Sequence, residues 1–310
     1  MKRRTFVANV AASGASLALA EPGLAKTDAG TATPSGEGND VSASSVETGY
    51  APVNGLNMYY EIHGSGGVPV VLLHGAYMHT GMMEFLLSGL ANTRQVIAVD
   101  LQGHGRTADI DRPITYEQMA DDVAAVMEHL GVSQADVVGY SMGGSIALQV
   151  AMRHPERVRK LVAASGQYRL EGLYPEVIAG IATNSTPEIM MGTPWYENYA
   201  SVAPNPEDFP TLVEKLKRLD AEEFAWDEAE IEAIAAPALL IYGDADVIRP
   251  EHMVELFRLL GGGVPGDFTG LPKARLAILP STTHVGVMNR ADWLVPMVTE
   301  FLDEPMPEAG

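Results

Sequence analysis

At 310 residues, 46% apolar and 19% charged, the chain suits one large α/β domain or two smaller ones and is too apolar to be disordered. Acidic residues outnumber basic ones 40 to 20, for a net charge of −20, which argues against nucleic acid or an anionic membrane surface as a partner. The absence of cysteine excludes a disulfide scaffold, a thiolate metal site, a Cys nucleophile and a lipidated-Cys anchor.

Lys2, Arg3 and Arg4 precede a small-residue apolar stretch, Phe6 to Ala20, that ends in Ala18-Leu19-Ala20. A positive start, a short apolar run and an A-x-A end describe a secretory signal over 1–20, and the paired arginines fit the twin-arginine type. The stretch is too short and too rich in Ala, Ser and Gly for a stable membrane anchor. A periplasmic or secreted protein is expected. Residues 21–48 are Gly-, Ser-, Thr-, Ala- and Pro-rich with almost no large apolar side chain, the composition of a flexible linker.

From residue 49 the pattern changes. Tyr50–Val53 and Leu56–Ile62 flank Asn54-Gly55, a pair that tolerates the positive φ of a two-residue hairpin turn. Apolar runs at Val68–Leu73, Gln95–Val99, Asp136–Val138, Lys160–Ala164, Ala238–Tyr242 and Ala274–Leu279 suit strands buried on both faces of a parallel sheet. Thr115-Tyr-Glu-Gln118 is a capping box, and Met119, Val123, Val126, Met127 and Leu130 recur at helical spacing before Gly131. The fold class is α/β: a mostly parallel sheet with helices on both faces. Residues 166–234 break the alternation. They hold no buried-strand run, carry prolines at 175, 187, 194, 204, 206 and 210, and contain helix-like pieces at Asp208–Leu219 and Asp227–Ala235. They read as a helical cap inserted between core segments 49–165 and 235–305.

Gly139-Tyr140-Ser141-Met142-Gly143 stands between the run Asp136–Val138 and a helix from Gly144 to Arg153. A serine at such a turn exposes its Oγ, and small residues on either side let strand and helix approach. Serine becomes a nucleophile only beside a base that an acid orients. Asp244 and Asp246 follow the run Ala238–Tyr242, and His284 follows Ala274–Leu279, so a nucleophile, an acid and a base stand in the order Ser…Asp…His.

With Leu73-His74-Gly75-Ala76, Asp100-Leu-Gln-Gly103-His104-Gly105, Gly139-Tyr-Ser-Met-Gly-Gly144, Tyr242-Gly-Asp-Ala-Asp246 and Thr283-His284 together, the chain resembles the α/β-hydrolase fold superfamily, near its esterase, non-haem haloperoxidase and C–C hydrolase branch. The resemblance implies Ser141 as nucleophile, Asp246 rather than Asp244 as acid and His284 as base, with the backbone N–H groups of Ala76 and Met142 as oxyanion hole. It implies no cofactor. His74 and His104 are expected to shape turns, and the pair His74 and His79 lacks a carboxylate at ligand spacing, so no metal is expected.

The cap region carries Trp195, Tyr196 and Tyr199 after Pro194, and Tyr77 lies beside the expected oxyanion segment. Aromatic side chains build apolar pockets, so these four are candidate substrate-pocket residues and a hydrophobic or aromatic ester the expected small-molecule substrate. The acidic run Asp220, Glu222, Glu223, Asp227, Glu228, Glu230 and Glu232 is expected to be a solvated cap face, with a cation-attracting role as the alternative. The same triad could instead open lactones, cleave C–C bonds or form peracids. A non-catalytic binder on the same fold would be expected to have lost a triad member.

Overall fold

The computed structural model describes residues 46–221 and 224–306. The expected export signal, and the expected linker up to residue 45, lie outside the described residues. The hairpin opens the fold: β1 (Glu47–Val53) and β2 (Leu56–His63) are joined through Asn54 and Gly55, at φ 49° and 86°. Glu47 and Thr48, read from sequence as linker, are the first residues of β1 and pair with Ile62 and Glu61.

Six further strands follow: β3 (Val70–Leu73), β4 (Val96–Val99), β5 (Ala135–Tyr140), β6 (Val158–Ala164), β7 (Ala238–Ala245) and β8 (Ala274–Thr283). They form one eight-stranded sheet in the order β1-β2-β4-β3-β5-β6-β7-β8, parallel from β4 through β8. Successive side chains of a strand face opposite ways. Accordingly Val71 and Leu73 enter one apolar cluster and Val70 and Leu72 the other, and all four are buried. That double burial is why the strands read as unbroken apolar runs.

Helices cover both faces. α1 (Glu84–Ala91) lies on one, and α2 (Tyr116–His129) and α3 (Met142–Arg153) lie on the other. The Thr115 hydroxyl accepts from the Gln118 N–H and starts α2 as the capping box requires. In the cap run α4 (Pro175–Asn184), α5 (Pro187–Met190), α6 (Pro194–Val202) and α7 (Phe209–Ala221). The prolines that break the sequence rhythm open α4, α5 and α6, because the first helical N–H has no partner to lose. α8 (Glu228–Glu232), expected in the cap, instead packs beside α3 and α9 (Pro250–Leu259), with Ile231 and Ile234 in the sheet's core cluster. The short α10 (Gly266–Thr269) precedes β8, and α11 (Ala291–Asp303) returns to the α1 face.

The last helix is held by the sheet. Lys160 of β6 is buried, and its ammonium donates to the carbonyls of Phe301, Leu302 and Glu304 at 2.7, 3.2 and 2.5 Å, so three donors meet three acceptors. Arg159 forks onto Asp136 of β5 and also reaches the Leu302 carbonyl at 2.7 Å. Lys160→Met keeps the aliphatic stem but strands those carbonyls, so denaturant unfolding should show a loss of about 2 kcal/mol. A loss confined to a few tenths would mean that water replaces the ammonium.

Candidate active site

Three strand ends bring the site together. β5 ends at Tyr140, and Ser141 adopts φ 55°, ψ −122° before α3 begins at Met142. A side chain at Gly139 would strike the Gly143 carbonyl, and one at Gly143 the Leu73 carbonyl. Both glycines are therefore demanded by packing at the turn. The Ser141 N–H donates to the Ala164 carbonyl of β6 at 2.8 Å, and its carbonyl accepts from Gly144 at 2.8 Å and Ser145 at 3.1 Å.

β7 and β8 bring the other two groups. Asp246 stands just past β7 and is buried, whereas Asp244 is exposed and accepts the N–H groups of Ser281 and Thr282, each at 2.9 Å. β8 runs four residues beyond its expected end, to Thr283, through a register shift against β7 and a positive φ at Ser281. His284 follows. Its Nε2 lies 2.9 Å from the Ser141 Oγ and its Nδ1 2.7 Å from the Asp246 Oδ1. The three residues chosen from sequence thus form one hydrogen-bonded chain from hydroxyl to imidazole to carboxylate. With Nδ1–H donating to Asp246, Nε2 is free to accept the serine proton.

Burial pushes the Asp246 carboxyl up, but the hydrogen bond and charge of His284 outweigh it, with help from the Ser165 hydroxyl and the Gly243 N–H, and hold it below the usual carboxylate range. The Ser165 Oγ donates to Asp246 Oδ2 at 2.6 Å, while Gly243 and Ile248 N–H donate at 3.3 Å each. The phenol of Tyr140 donates to the His284 carbonyl at 3.0 Å and fixes the loop from behind. Sequence reading missed both Ser165 and Tyr140. Ser165 carried a usable signal, since it stands directly after a parallel strand, as Ser141 does.

The turn after β3 runs against the serine: a Cβ on Gly75 would sit 3.2 Å from that of Ser141. Met142, as the first residue of α3, has an N–H that the helix cannot use, and the Ala76 N–H donates to no backbone carbonyl of the described residues. Two free amides thus flank Ser141. His74 is neutral: its Nδ1 donates to the Gly75 carbonyl at 2.8 Å, Nε2 accepts from Leu101 at 3.1 Å, and burial pushes its pKa down to about 4. His104 donates to the Gln102 carbonyl at 2.9 Å and is pushed down by burial to about 3. Both shape turns. Among the described residues no cluster of three or more His, Asp or Glu could hold a metal ion.

The four candidate pocket residues separate. Tyr77, at φ 61°, packs 6.2 Å from Phe209 of α7, and its hydroxyl is buried without a hydrogen-bond partner among the described residues. Tyr196 lies 5.2 Å from the same ring. Tyr199 is 6% exposed, 5.0 Å from Phe209, and donates to the Asn205 carbonyl at 3.4 Å, so it belongs to the core of the cap. Trp195 packs against the opposite cluster, the one holding Met78, Met83 and Tyr140. Trp195 and Tyr199 stand four residues apart on α6, a spacing that shares a helix face, yet they meet different surroundings.

The acidic run also divides. Asp227, Glu228, Glu230 and Glu232 are exposed as expected, and Glu222 and Glu223 lie outside the described residues. Asp220 departs from the expectation of a solvated face in being half-buried, and burial pushes its carboxyl up to about 7. Since the Ser165 hydroxyl bonds Asp246 and no other described residue, Ser165→Ala should lower kcat about tenfold while leaving KM within twofold, by loosening the carboxylate that orients His284. Parallel loss in KM and melting temperature would mean that Ser165 serves only the fold.

A model of the α/β-hydrolase fold matches residues 68–197. Over 272 residues the chain is 32% identical to RutD of Azorhizobium caulinodans, a carbamate hydrolase by name, covering 82% of this chain and 98% of that one. It is 30% identical to a pimeloyl-[acyl-carrier protein] methyl ester esterase of Neisseria meningitidis serogroup A, covering 76% of this chain and 78% of the relative. Among solved structures, Est816, described as an N-acyl homoserine lactone degrading enzyme, superposes with a TM-score of 0.63 at 28% identity over 81% of this chain and 99% of that one. With the sheet order, the strand-end serine and these relatives in agreement, the chain belongs to the α/β-hydrolase fold family and is a hydrolase.

Proposed function

We propose that the protein is an exported serine hydrolase that cleaves a hydrophobic or aromatic carboxylic ester through an acyl-serine intermediate. The observation that carries this reading is the unbroken chain from Ser141 Oγ to His284 to Asp246 beside two unused amides. In the proposed mechanism the ester carbonyl lies against Ser141. His284 takes the serine proton as the oxygen attacks the acyl carbon. The Met142 and Ala76 amides donate to the resulting oxyanion, and in related chemistry one such donor is worth about 3 to 4 kcal/mol. His284, now an imidazolium balanced by ionised Asp246, gives its proton to the departing alcohol. Water then loses a proton to His284 and attacks the acyl-serine, releasing the acid and restoring Ser141. No cofactor enters this cycle.

The named relatives act on a methyl ester and a carbamate, both carbonyls of the acid-derivative class, which supports acyl chemistry at this serine. Tyr77, Tyr196 and Trp195 supply the apolar surface between cap and core in this reading, which favours an aromatic or bulky ester.

A fluorophosphonate probe should label wild-type protein at Ser141, and a panel of aryl, alkyl and lactone esters should give turnover with the released acid identified. Ser141→Ala and His284→Ala should each lower kcat by about 10⁴-fold or more without unfolding the protein, and Asp246→Asn should cost no more than these. Asp244→Asn should cost little, since Asp244 binds only backbone. Near-wild-type turnover in Ser141→Ala would overturn the mechanism. For export, replacing Arg3 and Arg4 by Lys should hold the precursor in the cytoplasm; normal processing of that variant would indicate a general secretory signal instead.

A further inference from the structure

Lys215 ties the cap to the core. It stands on α7 between buried Leu212 and Leu216 and is itself half-buried, where an ammonium must find partners. It finds three: Nζ donates to Asp109 Oδ2 at 2.6 Å and to the carbonyls of Ile110 and Arg112 at 2.6 and 2.8 Å, so every N–H is used. The acceptors are themselves fixed. Gln102 donates to Asp109 Oδ1 at 2.8 Å and accepts from Arg112 Nε at 2.6 Å, and Arg112 pairs with Asp122 of α2. The apolar contact beside this cradle, Leu212 against Gly103, has no direction of its own. The ammonium therefore sets where α7 sits along the loop 102–112.

The same loop and the same helix both lead to the turn after β3. At the loop's start Asp100 is fully buried; its Oδ1 accepts the Thr80 N–H at 2.7 Å and its Oδ2 the Arg106 N–H at 2.8 Å, which joins that turn to the loop. Phe209, the first residue of α7, is fully buried with its ring 6.2 Å from that of Tyr77. Tyr77 holds φ 61°, a conformation that an aromatic residue keeps only where its surroundings impose it. It directly follows Ala76. From Thr80 through Asp100, the loop, Lys215 and Phe209 back to Tyr77, a closed ring of contacts thus surrounds the turn that carries the Ala76 amide.

We propose that Lys215 is a positioning residue for the reaction: by fixing α7 on the loop it keeps Phe209 against Tyr77 and so holds the Ala76 amide where the oxyanion forms. This deepens the serine-hydrolase reading and rests on it for the role of Ala76. A misplacement of about 1 Å, even from a change far from the chemistry, can cost about 100-fold in rate. Lys215 touches no reacting atom; its effect passes through the position of the cap helix. Losing it weakens a donor that acts on the transition state and leaves ground-state binding of the ester nearly intact.

The test separates rate from binding. Lys215→Met keeps the aliphatic stem and removes the donors; on 4-nitrophenyl acetate it should lower kcat by about tenfold or more with KM within about twofold. Arg218→Met, which removes a charge from an exposed position of the same helix, should leave both within about twofold. A trifluoromethyl ketone reads the amide directly: the Ser141 oxygen bonds to the carbonyl carbon, its proton passes to His284, and the carbonyl oxygen becomes an alkoxide against the amides. Its inhibition constant should rise by about tenfold or more in Lys215→Met. Phe209→Leu should give the same pattern, and the double variant should lose no more than about twofold beyond the worse single one, since both cut one path. Should Lys215→Met fail to fold, Asp109→Asn, which retains both carbonyl acceptors, should lower kcat and ketone affinity by about threefold or more. Unchanged kcat, a lower melting temperature with no loss of ketone affinity, or multiplied losses in the double variant overturn the inference, while wild-type turnover leaves the serine-hydrolase reading intact. Wild-type protein that cleaves no ester and binds no ketone overturns that reading and the inference with it.

Discussion

Everything at this site depends on one strained residue. Ser141 sits at φ 55°, ψ −122°, a conformation that costs a non-glycine residue about 1 to 3 kcal/mol. The surroundings hold it there: its N–H is tied to β6, its carbonyl to the first turn of α3, and the glycines on both sides admit neighbouring backbone where no side chain fits. In return the hydroxyl projects from the sheet edge next to the first N–H groups of a helix, where backbone donors and the helix dipole favour negative charge. Relaxing Ser141 into an ordinary conformation would turn the hydroxyl away from His284 and move α3 off β5.

The imidazole is held by a different logic, one of satisfied polarity. Asp246 is a buried carboxylate, and burial alone would favour its neutral form. Donors from His284, Ser165, Gly243 and Ile248 reverse that preference. Four donors on two oxygens also fix the carboxylate's orientation, which then fixes which imidazole nitrogen carries the proton. Asp244, two residues earlier, does complementary work from the surface by bonding the β8 backbone just ahead of His284. Two aspartates that look interchangeable in sequence therefore divide into one that orients the ring and one that anchors the strand bearing it.

Much of this was legible in the sequence because the signals were local and physical. Strands buried on both faces must be apolar throughout, and residues at the ends of parallel strands gather at one edge, which marked Ser141, His284 and the pair Asp244 and Asp246; the choice of Asp246 within that pair came from the family resemblance. The cap was less legible. Its prolines look like breaks in a linear reading and prove to be helix starts, since proline suits the first helical position as well as it suits a turn. Tyr199 and Trp195 share a helical spacing, but what each touches depends on how α6 meets α7 and the sheet, which periodicity within one helix cannot supply. The extension of β8 was hidden because Pro280, Ser281 and Thr282 have the composition of a loop and fall in the irregularity between the pairs Gly243–Leu279 and Ala245–Thr283. Asp220 differs from its acidic neighbours for a related reason: in a run of acids, composition points to water, whereas Asp220 is half-buried on α7.

The order of the chain has a consequence of its own. The serine and its helix occupy the middle of the sequence, whereas the imidazole lies 143 residues later and the helix that closes the sheet comes last. Lys160 and Arg159 of β6 stay without their α11 carbonyl partners until that final helix arrives. During synthesis the turn that carries Ser141 therefore precedes the segment that carries His284, and the hydrogen-bonded chain through Asp246 is complete only after β8 has been made. A polypeptide cut short before β8 would lack His284 and leave the Ser141 hydroxyl without its imidazole partner.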